Sequence, residues 1–137
     1  NMNTKKSISK EEFIFKYRLG SDRNKKFLDE ILNNTNGETD RGSVIIATSL
    51  IEDFLAECIK EILPFSSNTK INKLFKYPGI LSSFSSKIEM TYCFGLFDHN
   101  ISTSLHILRD MRNECAHSVN SFDLSSNTQK LIEINII

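Results

Sequence analysis

The chain has 137 residues, of which 39% are hydrophobic, and this length fits one domain that buries a core without disulfides or a metal ion. Lysine and arginine together number 17, as do aspartate and glutamate, so the formal net charge is zero. This balance excludes broad, charge-driven binding to DNA or to a membrane surface, while a local basic patch and RNA contact stay open. We expect residues 1–137 to form a single domain, with Asn1, ahead of Met2, as an addition to the natural sequence.

The cysteines and the first residues of the chain indicate the cellular compartment in which the protein is expected. Cys58, Cys93 and Cys115 lie in apolar helical patterns without the spacing of a zinc site, which predicts free thiols in a reducing environment. The first ten residues are polar and basic, so they do not read as a secretory signal. No apolar run approaches the ~20 residues of a membrane span. We therefore expect a cytoplasmic protein with no membrane segment, metal or cofactor.

The first part of the chain predicts two helices and a loop. Residues 9–12 form a capping box, and the apolar residues after it predict a short helix that ends near Gly20. Ser21 or Asp22 is placed to cap a second helix. Residues 33–39 are rich in Asn and Thr and contain a glycine, which predicts a loop.

A long third helix is the strongest feature of the pattern. It spans residues 39–63 and stops before Pro64, which a helix interior does not accommodate. Its apolar arc is wider than a surface helix shows, so we expect a central helix. The arc comprises Val44, Ala47, Leu50, Ile51, Phe54, Leu55, Cys58, Ile59 and Ile62, and the opposite face carries Glu52, Asp53, Glu57 and Lys60.

The second half of the chain continues with helices and short links. Residues 64–70 predict a loop, residues 71–75 a short helix and residues 77–79 a turn. A fourth main helix begins near Ser82 or Ser83 with Phe84, Ile88 and Tyr92, and ends near Gly95. Asp98 or Asn100 caps the fifth, whose core face is Ile101, Leu105, Leu108 and Cys115, and a last helix starts near Thr128. Without any strand alternation, the pattern predicts an all-α, single-domain bundle of five to six helices.

Arg112 is the anomaly of the fifth helix, because it falls about 20° from Leu105, inside the apolar stripe. A buried guanidinium is costly unless it is paired, so the sequence predicts a buried or half-buried Arg112 with an acidic or carbonyl partner. One interpretation is a structural ion pair, within the chain or across a dimer contact. The other is a site that needs a fixed cation, such as a phosphate-binding site.

His117 lies five residues after Arg112, about 140° further round an ideal helix. The two side chains therefore converge only if the helix distorts or a second subunit completes the site. An arginine with a histidine acid or base is what metal-independent RNA cleavage requires. Arg112 and His117 are thus candidate catalytic residues, with Asn113 in support, against the alternative that all three are structural. His99 and His106 are expected at the surface.

A second polar cluster, Glu38-Thr39-Asp40-Arg41-Gly42, precedes the long helix. Acidic residues suit a helix N-terminus because they complement the helix dipole, which accounts for Glu38 and Asp40 but not for Arg41. We expect Asp40 or Glu38 to be the partner of Arg112. The candidate binding or interface site comprises Glu38, Asp40, Arg41, Arg112 and His117.

The chain resembles the mannitol operon repressor family. The matching stretches are ETDRG at residues 38–42 with the helix to Leu63, residues 81–88, Gly95-Leu96, and residues 108–118 with RNECAHS at their end. The resemblance implies an all-helical fold and a role in transcriptional repression exerted through protein partners. It implies no direct reading of DNA, in agreement with the neutral charge.

The spacing from Arg112 to His117 is also similar to the Arg-x4-6-His motif of the HEPN superfamily of helical domains. Many of those domains are ribonucleases whose motif pairs across a homodimer. That resemblance implies catalytic roles for Arg112 and His117 and a supporting role for Asn113. Other HEPN-like domains keep the fold without activity.

Three functions follow from these patterns. The leading prediction is a non-enzymatic regulatory module of the mannitol-repressor type that binds a protein partner. The alternatives are an immunity or antitoxin protein that neutralises a nuclease toxin, and a metal-independent endoribonuclease that uses Arg112 and His117. A homodimer is expected under all three, because a partner helix would complete the site and cover apolar surface.

Overall fold

The computed structural model describes residues 22–64, 67–117 and 122–127, and their regular structure is entirely helical. This confirms the all-α prediction. The helices that we predicted to begin at Ser9 and near Thr128 lie outside the described residues. The described elements, numbered in chain order, are α1 (Asp22–Thr35), α2 (Asp40–Ile62), α3 (Asn68–Phe75), α4 (Phe84–Cys93), α5 (His99–His117) and a short 3₁₀ helix (Leu124–Asn127).

Helix α2 is the central element, as its wide apolar arc predicted, because α1, α4 and α5 all pack against it. Its N-terminus is capped by Thr39, whose hydroxyl accepts a hydrogen bond from the backbone N–H of Gly42 at 3.0 Å. It ends at Ile62 with Leu63 as the C-cap, ahead of Pro64. Helices α4 and α5 also pack against each other, so α2, α4 and α5 form a three-helix unit.

Helix α1 is longer than its composition suggested, and the predicted loops at 33–39 and 64–70 are too long. The helix includes Thr35 because polar side chains bond to its own carbonyls: the Asn34 amide donates to Glu30 O at 2.7 Å, and the Thr35 hydroxyl to Ile31 O at 2.8 Å. Gly37, at φ 80°, then turns the chain in the left-handed region. The second loop is shorter because α3 begins at Asn68.

The link from α3 to α4 is a tight turn that contains a cis peptide bond between Tyr77 and Pro78. Its return is fixed by the N–H of Leu81, which donates to Leu74 O at 2.8 Å. A Cβ at position 79 would collide with the backbone of Lys73 and Leu74, so this turn requires glycine.

Capping side chains set the N-termini of α4 and α5 as predicted. The Ser83 hydroxyl accepts from Ser86 N at 3.1 Å, and Asp98 Oδ1 accepts from Ile101 N at 3.0 Å. Helix α4 gives way after Cys93 to a turn with Gly95 at φ 81°. These caps fix where the two helices enter the bundle.

The core lies where α2, α4 and α5 meet. Its fully enclosed side chains include Ile59, Phe84, Ile88 and Met111. Two predicted core residues are wrong: Ile101 is 49% exposed and Tyr92 is 38% exposed. The buried stripe of α5 is instead Ser102, Met111 and Cys115, and that of α4 is Phe84, Lys87, Ile88 and Thr91. The polar residues of α4 take core positions because the Thr91 hydroxyl bonds to its own helix and Lys87 is paired.

Within the described part of the chain, no helix is long and apolar enough to cross a membrane.

Candidate functional site

One carboxylate joins the three helices of the core unit. Glu52, near the middle of α2, accepts from Arg112 Nη1 of α5 at 2.7 Å through Oε1. Its Oε2 accepts from Lys87 Nζ of α4 at 2.6 Å. The side chains of Glu52, Lys87 and Arg112 are 22%, 8% and 25% exposed. We call these three residues the Glu52 triad.

Within the triad, Glu52 supplies the negative charge that the two cations need in order to lie at the edge of the core. An unpaired ammonium as buried as that of Lys87 would carry a large desolvation penalty, and Glu52 together with the carbonyl of Ser82, 3.2 Å away, offsets it. Arg112 is held on a second side by Phe84, whose ring centre lies 4.9 Å from the guanidinium carbon. The arrangement fixes how α4 and α5 are rotated against α2.

The structure confirms that Arg112 is half-buried with an acidic partner, but our choice of Asp40 or Glu38 for that partner is wrong. Glu52 lies twelve positions after Asp40 on α2, which is about 18 Å along the helix. Arg112 therefore faces the middle of α2, while Asp40 lies at its start. Asp40 Oδ2 instead accepts from the backbone N–H of Leu124 at 3.0 Å and holds the 3₁₀ helix.

The other members of the cluster at residues 38–42 also have local roles. The Glu38 carboxylate lies over the first turn of α2, in the space that a Cβ on Gly42 would need. Arg41 has an electrostatic contact with Cys115 of α5: burial raises the pKa of that thiol, and the positive charge of Arg41 opposes the rise. The cluster at residues 38–42 thus helps to join the start of α2 to α5 and to the 3₁₀ helix.

Arg112 and His117 are not brought together within one chain. Helix α5 stays regular to its last residue, His117, which is exposed, as is Asn113. The two side chains therefore diverge as the helical wheel predicted. Because Arg112 is directed to Glu52, the single chain does not assemble the predicted catalytic pair.

A second polar network runs along the seam between α4 and α5. Arg109 Nη1 donates to Ser85 Oγ at 3.0 Å and lies 2.8 Å from His106 Nδ1, while Nη2 donates to Asp110 at 2.9 Å. His106 Nε2 lies 2.7 Å from Glu89 Oε1. Since arginine only donates, this geometry assigns Nδ1 as the acceptor and places the ring proton on Nε2, toward Glu89. His106 was expected at the surface, but its side chain is only 25% exposed and both ring nitrogens have partners.

Sequence reasoning wrongly placed Glu52 on the polar face of the long helix and did not single out Lys87, although a signal for both positions was present. The buried positions of α2 include 44, 48, 55 and 59, and position 52 continues their spacing of three to four residues. Position 87 falls in the same way among 84, 88 and 91 on α4. A glutamate in one apolar stripe and a cation in each of two others would have predicted the triad.

The described residues include no group of three or more His, Cys, Asp or Glu side chains that could hold a metal ion. Their polar side chains form ion pairs and hydrogen bonds between helices. No family model, curated protein or solved structure matches the chain. The resemblances to the mannitol operon repressors and to HEPN domains therefore stay predictions.

Proposed function

We propose that this protein is a non-enzymatic regulatory module that acts by binding another protein, as its resemblance to the mannitol operon repressors implies. The observation that carries the proposal is the Glu52 triad. Arg112, the residue on which a nuclease mechanism would depend, pairs with Glu52 and lies against Phe84. A cation used in this way contributes to the packing of three helices and is directed away from His117.

Exposed apolar side chains support the binding part of the proposal. Leu28 and Leu32 are one turn apart on α1 and are 48% and 66% exposed. Tyr77 and Ile80, on the turn between α3 and α4, are 86% and 73% exposed. Large apolar side chains grouped at a surface are typical of contacts with a partner protein. The expected partner is a component of a regulator complex or, if the chain is an immunity protein, a nuclease toxin.

An assay of RNA cleavage tests the non-enzymatic part. Purified wild-type protein is incubated with total and transfer RNA in EDTA, beside His117→Ala and beside His99→Ala, which alters an exposed histidine at the other end of α5. We expect the three proteins to leave the RNA intact. Cleavage by the wild type and by His99→Ala, but not by His117→Ala, would overturn the proposal in favour of a ribonuclease.

Site-specific photo-crosslinking tests the binding part. A photoreactive residue is placed at position 32 or 80 in the producing cell, with exposed positions 33 and 76 as controls. We expect a discrete adduct with a second protein from position 32 or 80 and not from the controls, and its loss when Leu28→Asp or Tyr77→Asp is added. The absence of a second protein from both test positions would contradict the proposal. A homodimer, which we also expect, would appear as an adduct of twice the chain mass.

A further inference from the structure

A cavity of about 280 Å³, partly open to the surface, lies where α1 and α5 meet the first half of α2. Its floor is formed by α2 with Val44, Thr48 and Ile51, and its walls by Ile31 of α1 and Met111 of α5. Leu124 of the 3₁₀ helix closes one end, where Asp40 holds its backbone N–H. The cavity exists because α1 packs chiefly against α2, while α2, α4 and α5 pack against one another.

The lining determines what the cavity can hold. Every side chain that lines it is uncharged. Its threonines have used their hydroxyl protons, since Thr48 donates to Val44 O at 2.7 Å and Thr35 to Ile31 O at 2.8 Å. Ser43 is the remaining hydroxyl of the lining, so a sugar or a phosphate placed here would lose most of its hydrogen bonds to water without replacement. The lining is therefore suited to an apolar molecule.

The volume sets the size of the occupant. An engineered cavity of about 150 Å³ lined by Leu, Ile and Phe stays dry and binds benzene. The cavity here has nearly twice that volume, which is enough for a two-ring aromatic molecule or a short alkyl chain of similar bulk. A helix of a partner protein, by contrast, needs a longer groove with several anchor pockets in a row.

We propose that the cavity between α1 and α5 is a binding site for a small, uncharged, apolar molecule of about the size of a two-ring aromatic. The ligand contacts Ile31 on one wall and Met111 on the other, so it connects α1 to α5. This site does not depend on the proposed function. The module can bind a protein with the cavity empty, and the cavity can bind a ligand if the protein has another role.

Indole is the probe that tests this site. Wild-type protein is titrated with indole while binding is followed by calorimetry and by chemical shifts of side-chain methyls. We expect saturable binding with shifts at Val44, Leu108 and Met111 and none at Ile80, which lies on the remote turn. We also expect the thermal midpoint to rise with indole concentration, because the ligand binds the folded chain. No saturable shift at the lining methyls would overturn the proposal.

Ala47→Leu and Ala56→Leu form the matched pair of variants. Both alanines are half-buried on α2, but only Ala47 lines the cavity. We expect Ala47→Leu to weaken indole binding by at least ~tenfold, since its larger side chain takes the ligand's space, and Ala56→Leu to leave binding unchanged. Equal binding by both variants would place indole elsewhere and overturn the proposal. If Ala47→Leu fails to fold, the methyl shifts of the wild type decide.

Two further compounds test the ligand class. Mannitol should leave the methyl shifts unchanged, because the mostly apolar lining would replace few of the hydrogen bonds that its hydroxyls make to water. Indole-3-acetate should bind at least ~tenfold more weakly than indole, because its carboxylate has no cation among the lining residues. Binding of mannitol at these methyls, or equal affinity for the carboxylate, would show that the apolar assignment is wrong.

Discussion

The two sides of α2 are packed in different ways. On the side of α4 and α5, Leu55, Phe84 and Ile88 are almost fully enclosed, and the Glu52 triad lies among them. On the side of α1, half-buried residues such as Ile31 border a cavity of about 280 Å³. Removing atoms or charges from a dense interface lowers stability strongly, whereas an open interface tolerates such changes and leaves space for a ligand. The two kinds of packing meet on α2, where Ile51 both lines the cavity and packs against the cluster of Leu55, Phe84 and Ile88.

Truncating one isoleucine on each side gives the largest contrast. Ile88 is fully buried, so Ile88→Ala should lower the free energy of unfolding by about 3–4 kcal/mol through lost contacts and a new void. Ile31→Ala, at the edge of an existing cavity, should cost about 1 kcal/mol. Urea denaturation of both variants measures the difference. Equal losses would mean that α1 is as tightly packed as α4.

Removing the shared carboxylate tests the charged part of the dense side. Glu52→Gln keeps the shape of the side chain but leaves Lys87 and Arg112 without their counter-charge. Because the triad is partly exposed, we expect a loss near the low end for buried pairs, about 3 kcal/mol. Glu57→Gln, which alters an exposed glutamate 3.6 Å from Lys60, should cost less than about 0.5 kcal/mol. If the denaturation curves of the two variants coincide, the triad has no structural role.

Thiol labelling sharpens the comparison without changing the packing. Cys93 is exposed and should react first with iodoacetamide, while Cys58 and Cys115 are buried. Burial raises the pKa of Cys115, so at a given pH less of it is thiolate, the reactive form. Its labelling rate in the folded protein should still be rising above pH 9, the ordinary value for a thiol. A rate that levels off below pH 9 would contradict this, and Cys115→Ser identifies the peptide.

The smallest effect concerns the segment that closes the cavity. Hydrogen bonds from the hydroxyl and the backbone N–H of Ser125 lower the pKa of Asp123 from its ordinary value of 3.8. A lowered pKa means that this carboxylate stabilises the fold at pH values above the ordinary value, and that the contribution is lost as the pH falls through the lower folded value. The difference in unfolding free energy between wild type and Asp123→Asn should be constant above about pH 5 and shrink below it. If the difference in unfolding free energy increased at acidic pH, the pKa of Asp123 would be raised in the folded protein and not lowered.

Local signals in the sequence predicted most of the fold. Thr39, Ser83 and Asp98 set helix starts through their side chains, and Pro64 follows the end of α2, so these boundaries were accessible from single residues. The loop at 33–39 was overestimated because Asn and Thr favour loops on average, whereas Asn34 and Thr35 bond to carbonyls within α1.

The site was predictable only in part. The helical wheel alone showed that Arg112 needed an acidic or carbonyl partner, and this was confirmed. Which acidic residue pairs with Arg112 depends on the position of α5 along α2. This packing register is a tertiary property that the sequence of a single helix does not determine. For the same reason the contacts of His106 with Glu89 and of Arg109 with Ser85 were missed, because they join α4 to α5.

Because α1 packs chiefly against α2, its inner face contributes little to the assembly of the other helices. Substitutions at Ile31 or Thr35 would change the width and shape of the cavity and leave the Glu52 triad in place. Selection could therefore refit the molecule to a ligand of another size through one helix, with small losses of stability at each step. Variation confined to α1 can therefore reshape this cavity while the packing of α2, α4 and α5 stays the same.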